Sequence, residues 1–150
     1  MTAVLTIVWV VDDLPSNHDL VRRSLPAGWE SVCELVSFDS GTSALEELAL
    51  GLDVDPERLP DVVFMDFFLG DHYGNEVTKQ LRTLFAAKGL AGPFVVGHSS
   101  ALPASHEIVR AGGDVAIEKD KQARVSSGIQ GLFPDAASRA AHQGRGRRAV

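Results

Sequence analysis

Three aspartates, a serine and a lysine stand out because each follows a short apolar run. Asp12 and Asp13 close Ile7-Val8-Trp9-Val10-Val11, and Asp66 closes Asp61-Val62-Val63-Phe64-Met65. Ser99 closes Phe94-Val95-Val96-Gly97-His98, and Lys119 closes Asp114-Val115-Ala116-Ile117-Glu118. Carboxylates gathered at one point repel, so such a group takes up a proton or holds a cation. Hard oxygen ligands suit Mg2+, which takes one or two protein carboxylates and fills its other positions with water and phosphate oxygens. An ammonium beside them offers a point charge to a carboxylate or phosphoryl oxygen, and a hydroxyl can donate to another. Together these residue types predict a site that holds or moves a phosphoryl group, with metal and lysine neutralising its charge. Singly each has a plainer use: Asp12-Asp13 ahead of Pro15 as a helix cap, Asp66 as a loop carboxylate, Lys119 as a solvated charge. Their shared position at strand ends is what joins them.

The elements that must position them follow from periodicity. Continuous β-branched and aromatic runs fit strands buried on both faces of a parallel sheet, and Val32 to Phe38 supplies a further strand. Between the strands lie amphipathic segments. The first, opened by Pro15, turns Leu20, Val21, Ser24 and Leu25 inward; the second presents Ala44, Leu45, Leu48, Ala49 and Leu52; the third presents Val77, Leu81, Leu84 and Phe85. A short helix near 104–111 and a last one near 121–133, with Val125, Ile129 and Leu132, complete the set. Gly51 to Pro60, polar and carrying two prolines, predicts a loop. Five alternations predict an α/β fold: a doubly wound, five-stranded parallel sheet with helices on both faces, flavodoxin-like in type. In such sheets the ligand site lies off the carboxyl ends of the strands.

Composition narrows the function classes. With 150 residues the chain suits one domain. The segment 135–150 has four arginines against Asp135, so it carries +3 and leaves −9 on the rest of a chain whose net charge is −6. That acidic body argues against broad nucleic-acid binding, and the short basic tail is expected to be disordered. No apolar run approaches ~18 residues, so no membrane span is expected. The apolar start lacks a basic n-region, which predicts a cytoplasmic protein. Cys33 stands alone, excluding an internal disulfide and a cysteine zinc cluster. No G-x-G-x-x-G follows the first strand, against dinucleotide binding.

Residues 5 to 133 resemble the receiver domain of two-component response regulators, which makes the expected fold CheY-like. Val10-Val11-Asp12-Asp13-Leu14-Pro15-Ser16-Asn17 is similar to the acidic pair and turn of receivers. Pro60 to Asp66 is similar to the strand that delivers the phosphoacceptor aspartate, with Gly74 eight residues beyond it. Gly97-His98-Ser99-Ser100 and Ala111 to Lys119 are similar to the elements ending strands four and five. The resemblance implies that Asp66 takes a phosphoryl group from a phosphohistidine. It implies that Asp12, Asp13, Asp66 and the backbone carbonyl of Phe68 hold Mg2+, and that Ser99 and Lys119 bind phosphoryl oxygens. The implied partners are a sensor histidine kinase or histidine phosphotransfer protein and an unidentified downstream protein; a homodimer is compatible. The implied chemistry is limited to the domain's own phosphorylation and dephosphorylation, so it is not an enzyme of another substrate. A receiver over 1–134 leaves 135–150 as the tail, with no room for a DNA-binding domain. The implied role is a stand-alone receiver that signals through protein contacts or serves as a phosphorelay shuttle or sink.

The pattern has departures. Ala116 stands where receivers commonly place an aromatic switch residue, Asp120 where a proline usually follows the lysine, and Gly70 where a proline is usual after the phosphoacceptor. Only 20 residues separate Ser99 from Lys119, which predicts a short fourth helix. A pseudo-receiver, a binding module of this fold without phosphoryl transfer, is the alternative these departures leave open. A haloacid-dehalogenase-type enzyme is disfavoured, because Phe68 occupies the place of its second aspartate.

Overall fold

The computed structural model describes residues 5–120 and 125–132. Five strands, β1 (Thr6–Val11), β2 (Cys33–Phe38), β3 (Val62–Met65), β4 (Phe94–Ser99) and β5 (Val115–Glu118), form one sheet in the order β2-β1-β3-β4-β5. Every neighbouring pair is parallel. Helices α1 (Pro15–Ser24), α2 (Gly41–Val54), α3 (Gly74–Ala87) and α4 (Leu102–Arg110) alternate with them, and residues 127–132 are helical. From β1 the chain moves to one side for β2 and to the other for β3. The switch point of the doubly wound sheet therefore lies between β1 and β3.

The strands alternate side chains between two cores. Ile7, Trp9, Val11, Val63, Met65 and Val95 pack beneath α2, α3 and α4, meeting Leu48, Leu81, Phe85 and Ile108. Val8, Val10, Phe64, Phe94 and Val96 face Val21 and Leu25 of the α1 segment, and Ile129. β1 and β3 are covered on both sides, which is why they read as unbroken apolar runs. Their stiffness gives the residues just past their carboxyl ends fixed starting points.

Some boundaries differ from the sequence expectation. α2 runs through Gly51 to Val54, and Pro56–Arg58 forms a 3-10 turn, where a loop was expected. Leu52 is buried, so core packing carries the helix onward until Pro56, which cannot supply the next amide. Val32 lies outside β2 and is exposed, following a 3-10 turn at Trp29–Ser31. α4 starts two residues earlier than expected, because Pro103 is tolerated in a first turn. At nine residues α4 is short, as the spacing predicted. The boundary at 134, the tail, and residues 121–124 and 133 of the last expected helix lie outside the described residues.

Candidate functional site

The register of β1 and β3 assembles the acidic centre. Val11 pairs with Met65, so Asp12 and Asp66 leave neighbouring strands side by side. The Asp66 amide donates to the Val11 carbonyl at 3.0 Å. Ligand oxygens of Asp12, Asp13 and Asp66 lie within 4.8 Å of one another. Lys119 reaches in from the end of β5, its Nζ 2.7 Å from Asp12 Oδ2 and 3.0 Å from Asp66 Oδ1. Asp12, Asp66 and Lys119 are buried and Asp13 is exposed. One ammonium thus pairs with two of the three carboxylates. Burial pushes the Asp66 carboxyl up to about 6; the nearby charge of Asp12 adds to this, and Lys119 opposes it without winning.

Asp12 is held by several protein groups. Its Oδ1 accepts from the Leu14 amide at 3.0 Å and Asn17 Nδ2 at 3.1 Å, and its Oδ2 faces Lys119. The backbone carbonyl of Asp12 accepts from His18 Nε2 at 2.6 Å, a contact that requires the proton on that nitrogen. Asp13 and Asp66 are left to face an open pocket of about 520 Å³, whose lining includes Asn17, Arg23, Phe68 and Lys119.

The loop after Asp66 folds into a miniature hairpin. The Leu69 amide donates to the His72 carbonyl at 3.2 Å and the Gly74 amide to the Phe67 carbonyl at 2.6 Å, with Phe68 opposite Tyr73. In this arrangement Phe68 is the non-hydrogen-bonded member, so the turn does not consume its carbonyl. Gly74 is required by close approach: a Cβ there would lie 1.9 Å from the Asp66 carbonyl oxygen. The Phe68 ring is exposed at the pocket mouth, edge-on to Phe67 at 4.9 Å and to Tyr73 at 5.9 Å.

Ser99 ends β4, where its carbonyl accepts from the Lys119 amide at 2.8 Å. It is buried, its Oγ 3.4 Å from the Ala101 amide; the serine lining the pocket is Ser100. The backbone amide of Ser99 donates to Ser105 Oγ at 2.8 Å, and that hydroxyl donates to the Ile117 carbonyl at 2.7 Å. Ser105 therefore ties α4 to the ends of β4 and β5. Asn17 entered the sequence reading only as the end of the Val10 to Asn17 motif, without its contact to Asp12, and His18 and Ser105 escaped it. The first two had a detectable signal, standing one helical turn beyond the acidic pair on α1.

The donor set fits a small hard dication. Three carboxylates cluster with Lys119 paired to two of them, the third, Asp13, is exposed at the pocket, and the Phe68 carbonyl is not taken up by its own turn.

No family model and no curated protein matches the sequence. Solved structures do. The receiver domain of the histidine kinase CKI1 from Arabidopsis thaliana, in complex with Mg2+, is 23% identical with a TM-score of 0.69, over 89% of this chain and 94% of that one. A CheY-like response regulator receiver domain protein from Methanospirillum hungatei is 17% identical with a TM-score of 0.68, covering 93% and 98%. The response regulator domain of Thermotoga maritima CheB is 21% identical with a TM-score of 0.61, covering 92% and 95%. The fold is that of a receiver domain. On this fold Ala116 pairs with Gly97 in the β4–β5 ladder, so that position carries no ring. Ser105 supplies a different link between Ser99 and α4. Among the described residues no helix is long and apolar enough to cross a membrane.

Proposed function

We propose that the chain is a phosphorylatable receiver whose Asp66 accepts a phosphoryl group from a phosphohistidine of a sensor histidine kinase or histidine phosphotransfer protein. The observation carrying this reading is the placement of Asp66 Oδ1 3.0 Å from Lys119 Nζ, at an open pocket and within an acidic cluster. A carboxylate oxygen of Asp66 attacks phosphorus; the P–O bond forms as the P–N bond breaks, and the imidazole leaves with the electron pair of that bond. Lys119 neutralises an equatorial oxygen, and Ser99 donates to another once its buried hydroxyl turns from the Ala101 amide toward the pocket. Asp12 keeps Lys119 aimed at the reacting carboxylate. Asp12, Asp13, Asp66 and the Phe68 carbonyl would hold Mg2+, which when bound supplies positive charge to the phosphoryl oxygens.

The acyl phosphate biases the loops and helices around the site, and the output passes by protein contacts or by onward transfer in a phosphorelay. With Ala116 in β5, the strand-four signal is carried by the Ser99–Ser105–Ile117 bonds rather than by a rotating ring. The acidic body and absence of a long apolar helix among the described residues suit a cytoplasmic role. Incubation with Mg2+ and acetyl phosphate, followed by intact mass, tests the proposal. The expected result is one added phosphoryl group, lost in Asp66→Asn and in EDTA. No addition from acetyl phosphate or from any phosphohistidine donor would instead identify a binding module without phosphoryl transfer.

A further inference from the structure

The loop that follows Asp66 is held from outside as well as by its own turn. Asp71, near its tip, accepts from the backbone amides of Gly41 at 3.0 Å and Thr42 at 2.9 Å, the first two residues of α2. These partners stand 30 and 29 positions away in sequence. α2 already has a cap of its own, since Ser40 Oγ accepts from the Ser43 amide at 3.0 Å. Asp71 takes up amides that Ser40 leaves, at the positive end of a 14-residue helix. Burial works to raise its carboxyl, but the bonds from Thr42 and Gly41 prevail and hold it well below the usual carboxylate range. Its seat is also shaped: a Cβ on Gly41 would come within 3.2 Å of the His72 ring. Gly70, at φ +82°, turns the chain between Leu69 and Asp71, a conformation that favours glycine.

The loop is thus fixed twice, by the Phe67–Gly74 and Leu69–His72 backbone bonds inside and by Asp71 on α2 outside. Phe68 lies between these fastenings, and it lines the same open pocket as Asp13 and Asp66. We propose that Asp71 is a positioning residue for the metal site: by clamping the loop to α2 it sets where the Phe68 carbonyl stands relative to Asp13 and Asp66. The inference rests on the metal-assisted phosphoacceptor reading above and adds a requirement to it, namely that the site's third loop is aligned by the helix after β2.

Isothermal titration of the metal-free full chain with Mg2+ tests it, using Asp71→Ala, Asp71→Asn and Ser40→Ala. Ser40→Ala removes a cap from the same helix without touching the loop, so it reports the purely structural cost. Asp71→Ala is expected to weaken Mg2+ binding about tenfold, in the range that loss of an outer partner of a metal ligand produces. Ser40→Ala is expected to leave the affinity unchanged, although both variants lower the thermal midpoint in EDTA. Asp71→Asn keeps the shape and one accepting oxygen, so it should fall between and remains measurable if the alanine variant does not fold. Wild-type affinity in both Asp71 variants, or equal weakening by Ser40→Ala, would overturn the proposal while leaving the metal site standing. Absence of Mg2+ binding by the unaltered chain would overturn the metal site itself, and the role of Asp71 with it.

Discussion

Replacing Asp66 by asparagine should stabilise the metal-free protein, although it removes an ion pair. Lys119 lies 2.7 Å from Asp12 and 3.0 Å from Asp66, so it keeps a partner when Asp66 is neutralised. What disappears is a negative charge that burial makes costly. Burial, with Asp12, pushes the Asp66 carboxyl up to about 6 against the pull of Lys119. The folded state therefore holds this proton more tightly than the unfolded chain does. The penalty is fully present above about pH 6, shrinks as the pH falls, and is gone below the ordinary aspartate value near ~4. A displacement of roughly 2 pH units is worth ~3 kcal/mol; with the pocket mouth open to solvent, ~2 kcal/mol is the expected gain. For a chain of this size that raises the thermal midpoint by about 4–8 °C. Calorimetry in EDTA at pH 7.5 and pH 4 reads it: Asp66→Asn should melt higher than the unaltered chain at the first pH and level with it at the second. Saturating Mg2+ should narrow the gap, because only the carboxylate gains from the cation. A lower midpoint for the variant at pH 7.5, or the same increment at both pH values, would refute this electrostatic reasoning.

Phe68→Asn removes the ring from the pocket mouth and puts a polar group beside Asp66, so the half-life of the aspartyl phosphate should shorten several-fold. A radiolabel decay curve unchanged from the parent would show that the ring does not shield the site. Gly74→Ala forces a Cβ to within 1.9 Å of the Asp66 carbonyl oxygen, which the α3 start cannot absorb. A loss of more than ~4 kcal/mol in urea unfolding, or failure to fold, is expected, and near-native stability would contradict the loop geometry. Arg82 bonds the carbonyls of Gly112 and Pro93 and pairs with Asp114 at 3.0 Å, all at the amino ends of β4 and β5. Arg82→Met should cost ~2–3 kcal/mol in the same assay yet leave Mg2+ affinity untouched, since the site lies at the opposite edge of the sheet.

The legible part of this protein was the part written in local pattern. Apolar runs such as Val62–Met65 mark strands buried on both faces, and the residues just past them had to converge once the sheet was parallel. That reasoning reached Asp12, Asp13, Asp66 and Lys119, and the structure brings the four together. It reached Ser99 at the end of β4 as well, but not that its side chain is buried while Ser100 lines the pocket. Helix ends were read less well where tertiary packing overrode composition: Leu52 extends α2 through a stretch that looks like a loop. The supporting residues were hardest to see. His18 and Asn17 act on Asp12 across one helical turn, within reach of a spacing argument. Asp71 acts on amides of α2, and nothing in its neighbours along the chain announces partners so distant. The glycine at 74 was noted as a spacing match, while its physical reason, the backbone of Asp66 at contact distance, needed coordinates.

The central claim is that Asp66 is the residue that carries the phosphoryl group. The direct measurement is to phosphorylate the chain in Mg2+, reduce it with borohydride, which converts an aspartyl phosphate to homoserine, and map the peptides by mass spectrometry. The account predicts homoserine at position 66, dependent on Mg2+ and strongly reduced in Lys119→Met. Homoserine at position 12 or 13, or none at any aspartate after exposure to small-molecule and phosphohistidine donors alike, would contradict it.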